Sequence, residues 1–246
     1  MPEISLVETP QPLIAKHQFS IKEAANKYRD WVSKQKFVPR DFDITNDQDK
    51  IKAIYVPVWL FEVTAETAWH GEVSHIEKRS RTRHNYIEDR DEHYTEDETI
   101  WEPTSGTHYG QYLLPVSASS TISQEDIGGF KVKYSDLKNY HESDLDGWQV
   151  QVADLDETSA KEICNNIVKN KEKLVCNLEV EQLNGCSTKV TYTTTNFALL
   201  PLFVLSYPYK DKTYRSLVNG LTGGVSGKMP INQAKRFGTY VAMGVG

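Results

Sequence analysis

The chain has 246 residues, 39% of them hydrophobic, 25% charged and 11% aromatic, which excludes a disordered segment and is long enough to bury a sizeable core. Its net charge of -6 and pI near 5.7 exclude a protein that binds nucleic acid through bulk positive charge, leaving only a local basic patch for that purpose. Cys164, Cys176 and Cys186 form no C-x-x-C pair, which argues against a disulfide framework or a structural zinc site in this chain and for reduced, partly buried thiols.

Residues 1–12, with Pro2, Pro10 and Pro12, read as an extended lead-in without the apolar run of a signal peptide. Ser20 and Glu23 form a capping-box pair at the start of a helix. Ile21, Ala24, Ala25, Tyr28, Trp31 and Val32 give that helix one apolar stripe, and it should stop before Pro39. After an acidic linker over 41–49, Ile51–Val63 is β-branched and aromatic and reads as a strand, with Pro57 marking an edge, a strand start or a bulge. A second strand is expected around Thr67–Ile76.

Residues 77–99 are the most polar part of the chain. Lys78, Arg79, Arg81 and Arg83 are followed by Glu88, Asp89, Asp91, Glu92, Glu96, Asp97 and Glu98, a pattern of solvated strand ends or a long, self-neutralising hairpin tip. Strand character returns at Thr99–Glu102 and Gln111–Ala118, and 119–147 is irregular. A second helix spans about Glu157–Val175, capped by Ser159 with Glu162 or slightly earlier by Asp156. Its buried stripe is traced through Ala160, Ile163, Cys164, Ile167, Val168, Leu174 and Val175. Strands then follow at 176–183, 188–196, 198–208 and 213–218, with turns at Lys210–Lys212 and Asn219–Gly224 and a last strand from Val225.

Three apolar runs are each interrupted by one proline: Val56-Pro57-Val58, Leu114-Pro115-Val116 and Leu200-Pro201-Leu202. Helix and strands recur around the first and last of them. The expected fold is therefore α+β: antiparallel sheets packed with two main amphipathic helices, in two related helix-plus-sheet units over 13–150 and 151–235. Residues 236–246 read as the start of a truncated membrane segment.

No G-x-S-x-G, H-E-x-x-H or P-loop pattern occurs. The glycines over 220–227 are not followed by a helix and fit a hairpin turn better than a phosphate cradle. The seven histidines lack ligand spacing, and His70 and His75 fall on opposite faces of one strand region. No catalytic residue and no cofactor is assigned. The aromatics are the richest feature, and an interaction surface is placed on Lys78, Arg79, Arg81, Arg83, Trp101 and Tyr109.

Several segments resemble a bacterial family of zinc-ribbon membrane proteins, often labelled primosomal protein N′-like or replication-restart helicase-like. They are Phe37-Val-Pro-Arg-Asp-Phe42, Ile54-Tyr-Val-Pro-Val-Trp-Leu-Phe61, Leu113-Leu-Pro-Val-Ser-Ala-Ser119, Gly147-Trp148, the helix after Asp154-Leu-Asp156 and, most specifically, Leu199 to Pro230. The resemblance implies a cytoplasmic domain normally preceded by a C-x-x-C ribbon and followed by transmembrane helices, in some relatives part of phage-shock-type membrane-stress complexes. No ribbon cysteines precede Leu13 and no helicase signature is present, so zinc and membrane features are expected outside this sequence. The expected function is a non-enzymatic scaffold domain at the cytoplasmic face of the membrane, bound to protein partners and anchored through a missing C-terminal segment. The alternative is an accessory nucleic-acid-binding domain linked to replication, which the acidic balance disfavours.

Overall fold

The computed structural model describes residues 12–39, 42, 51–127, 129–145 and 147–230. The expected lead-in falls outside them except for Pro12, as do the apolar segment over 236–246 and all of the acidic linker but Phe42. The element order is β1 (Leu13–Ile14), α1 (Ile21–Ser33), β2 (Ile51–Asn85), β3 (Arg90–Ser117), α2 (Gln124–Ile127), β4 (Lys138–Asn139), β5 (Gln149–Val150), α3 (Glu157–Cys176), β6 (Gln182–Tyr209), β7 (Lys212–Asn219) and β8 (Val225–Gly227). All eight strands join one mixed sheet with the central order β3-β2-β6-β1-β4.

This corrects the α+β expectation. Strand accounts for 52% of the described residues and helix for 21%, so the fold is predominantly β. The error has a physical source. Strands were expected to stop at Glu102 and Leu183 and to resume at Gln111 and Thr188, and the observed strands run straight through those gaps. Pro57 and Pro201 still accept backbone hydrogen bonds, from Ala118 N and Gly220 N at 2.9 Å each, and losing one donor does not end a strand whose neighbours pair. Gly106 and Gly110 lie inside β3 because a Cβ at either would overlap the Trp69 ring or the Glu172 carboxylate. Close packing, not turning, requires them.

The chain divides into two compact units that interleave in sequence. The first comprises 1–62, 113–163 and 194–246, and the second 63–112 and 164–193. Neither coincides with the consecutive blocks 13–150 and 151–235, and all three proline-interrupted runs belong to the first unit.

In the first unit the sheet is covered on both faces, which is why its strands read as continuous apolar runs rather than as alternation. One face carries Ile54, Val56, Val58, Leu200 and Leu202 against Ile122, Ile127, Phe130 and Val132 of the irregular 118–145 segment. The other carries Phe203, Leu205, Tyr207 and Val218 against Ala24, Ala25, Tyr28 and Val32 of α1. The capping box that starts α1 is formed as expected, with Ser20 N donating to Glu23 at 2.8 Å and Glu23 N to Ser20 Oγ at 3.3 Å.

In the second unit burial alternates along β2. Val63, Ala65, Thr67 and Gly71 are buried while Thr64, Glu66, Ala68 and His70 are exposed, the signature of a sheet with one wet face. The covered face meets α3, whose buried positions recur every four residues at Cys164, Val168, Glu172 and Cys176. Leu174, expected in that stripe, is 69% exposed. Asp156 Oδ1 accepts from Ser159 N at 2.7 Å, so the earlier of the two expected caps starts α3.

Candidate functional site

Two features of the second unit carry polar side chains in numbers: the ribbon formed by β2 and β3 around the turn at 86–89, and the buried Glu172 on α3. The ribbon holds the basic residues singled out from the sequence. Strand alternation splits that set across two faces. Arg79, Arg81 and Arg83 share a face with the even-numbered carboxylates of β3: Arg79 Nε lies 2.9 Å from Glu98, Arg81 Nε 3.4 Å from Glu96, and Arg83 Nη2 3.5 Å from Glu92. Lys78 falls on the opposite face, where β3 presents its odd-numbered residues. Thr82 meets His93 there at 2.9 Å, His84 meets Asp91 at 2.8 Å, and Tyr109 Oη donates to Glu66 at 3.5 Å. Trp101 (49% exposed) and Tyr109 (71%) project from that second face.

The structure thus brings Lys78, Trp101 and Tyr109 to one face and gives the three arginines carboxylate partners on the other. Between 77 and 99 there are eight carboxylates and five basic side chains, so the ribbon is acidic on balance. Each exposed ion pair contributes about 0.2–1 kcal/mol; in series they hold strand register where no core does. At the turn, Asp89 takes a positive φ of 48°, and Tyr86 and Ile87 are 89% and 95% exposed. An aliphatic and an aromatic side chain thus end a charged ribbon, both largely open to solvent, with the His84 ring edge-on to Tyr86 at 4.9 Å between centroids.

Sequence reasoning missed the second feature. Glu172 is fully buried and sits at a stripe position between Val168 and Cys176. Its carboxylate accepts from Tyr112 Oη at 2.5 Å and from His108 Nδ1 at 2.8 Å, with the Thr67 hydroxyl as a third donor. Burial opposes its ionised form, but the three donors and the His108 charge outweigh that and hold the carboxyl below the usual range. The same environment raises the Tyr112 phenol, first through burial and then through Glu172. The available signal was a lone acid at i+4 from one buried position and i−4 from the next.

Among the described residues no hydroxyl or thiol is hydrogen-bonded to His108 Nε2, and no group of three or more His, Cys, Asp or Glu is placed to hold a metal. The cluster can fix α3 to β2 and β3; a nucleophile–base pair is not assembled there. No helix of the described residues is long and apolar enough to cross a membrane.

In comparisons with known proteins, no family model matches the chain and no solved structure matches it. The chain is similar to YdjG of Bacillus subtilis, an uncharacterised protein, at 26% identity over 231 residues. That match covers 88% of this chain, and the chain spans 62% of the length of this relative.

Proposed function

We propose that the chain is a binding module that engages protein partners through the β2–β3 ribbon, as the scaffold portion of a membrane-anchored bacterial protein. One observation carries this reading. Some twenty residues around the turn at 86–89 are exposed on nearly every side chain, yet they are held in strand form by a ladder of ion pairs. An element that adds little to a core and still keeps a fixed shape is suited to recognition. The exposed Tyr86 and Ile87 supply apolar anchors of the kind that dominate interface energetics. Anchoring at the cytoplasmic face of the membrane, in a membrane-stress complex, rests on the family resemblance of the 37–42 and 199–230 segments; a zinc ribbon and membrane helices would belong to sequence outside this chain.

The nucleic-acid reading is less well supported, because Arg79, Arg81 and Arg83 already face carboxylates and cannot release counterions as free cations would. The test replaces residues 77–98 by a two-residue Asn-Gly turn and compares partners co-purified from bacterial membranes with those of the intact chain. Loss of reproducible protein partners is the expected result. Unchanged partners, or tight and steeply salt-dependent DNA binding by the intact chain, would overturn the reading.

A further inference from the structure

β3 is the terminal strand of the central order β3-β2-β6-β1-β4, and it is 28 residues long. β4, at the other end of that order, has two residues and β8, which pairs only with β7, has three, the usual protection of a sheet against unwanted pairing. β3 lacks that protection over part of its length. Its first half carries Asp91, Glu92, Glu96, Asp97 and Glu98, which repel another acidic strand. Between Pro103 and Pro115, however, it reads Thr-Ser-Gly-Thr-His-Tyr-Gly-Gln-Tyr-Leu-Leu, with no acidic side chain, lysine or arginine.

The prolines orient this edge. Proline cannot donate to the ladder with β2, so the nitrogen side of Pro103 faces outward. Pro115 has the same parity. By alternation Ser105, Thr107, Tyr109 and Gln111 also turn their backbone N–H and C=O groups outward, and among the described residues no strand pairs with them.

We infer that this edge pairs with the same edge of a second copy of the chain, antiparallel about a twofold at Thr107. The segment is self-complementary in that register. Thr107 lies opposite itself, Ser105 opposite Tyr109 of the second copy, and Glu102 opposite Tyr112, so no like charges meet. The H-bonded pairs from 105 to 109 exchange about six backbone hydrogen bonds, an isologous contact that closes with two copies. A register centred in the acidic half of β3 would instead set carboxylates against carboxylates. The inference does not depend on the ribbon's partners, since it uses a different part of β3.

Sedimentation equilibrium of the intact chain at micromolar concentration tests it, alongside Thr107→Pro and Thr107→Lys. Proline at 107 removes an outward donor at a parity the strand already tolerates at Pro103. Lysine at 107 leaves the backbone intact and sets two cations face to face on the twofold. The expected result is a wild-type mass about twice 28.1 kDa and monomers for both variants, with unchanged circular dichroism. A monomeric wild type, or a dimer that persists in Thr107→Lys, overturns the inference; if Thr107→Pro does not fold, the lysine variant decides.

Discussion

Glu172 shows how a single buried charge is tolerated in an otherwise apolar stripe. Its oxygens are met by a phenol, an imidazole and a hydroxyl, and Gly110 leaves the volume they need. Removing the acid would strand those donors, so Glu172→Ala should lower the unfolding free energy by about 3 kcal/mol. Gly110→Ala should destabilise by a similar amount through overlap with the carboxylate. Urea titration monitored by tryptophan fluorescence measures both. His17, in the first unit, makes a separate prediction. Its ring lies 3.9 Å from Trp148, 4.7 Å from Phe203 and 5.1 Å from Tyr55 between ring centroids. Burial pushes its pKa down to about 4, partly opposed by the Ile54 backbone. The unfolded chain takes up this proton first as pH falls through about 6.5, so stability should be lost between roughly pH 6.5 and 4 and level off below. The loss is on the order of 2–3 kcal/mol. His17→Phe should flatten that part of the pH profile relative to wild type; an identical slope in both proteins would show that the imidazole stays charged or exposed.

Among the elements, α1 was the most legible, because capping box, stripe and terminating proline all point to one segment. Ser20→Ala should cost about 1 kcal/mol through the lost cap, measurable as a lowered thermal midpoint. The long strands were not legible. Their interruptions at Pro57, Gly106, Gly110, Pro115, Gly185 and Pro201 carry the local chemistry of turns, while the reasons those residues fit lie in partners distant in sequence, such as Trp69 over Gly106. The same limit hid the candidate site. A basic run followed by an acidic one over 77–99 fitted either solvated strand ends or a hairpin tip, and a hairpin is there, but the pairing of Arg79 with Glu98 and Arg81 with Glu96 depends on strand register, which the turn fixes and composition does not. Glu172 was concealed differently: charged residues are normally assigned to the wet face of a helix, and only the spacing of its apolar neighbours contradicts that assignment.

Taken as a whole molecule, the chain separates stability from recognition. The apolar core of the first unit and the α3-covered face of the second hold the fold, whereas the ribbon contributes exposed ion pairs of small individual weight. Shortening the ribbon should therefore change the unfolding free energy by no more than about 1 kcal/mol. Pairing of two copies along β3 would present two ribbons at once and raise avidity for a clustered partner without new contacts. A side-by-side comparison decides between a ribbon built for partners and one built for the fold: calorimetric unfolding and partner recovery for the intact chain and for the chain lacking 77–98. A ribbon built for partners predicts an unfolding midpoint within a few degrees of wild type together with loss of the bound proteins. A shortened chain that unfolds, or one that keeps every partner, would contradict it.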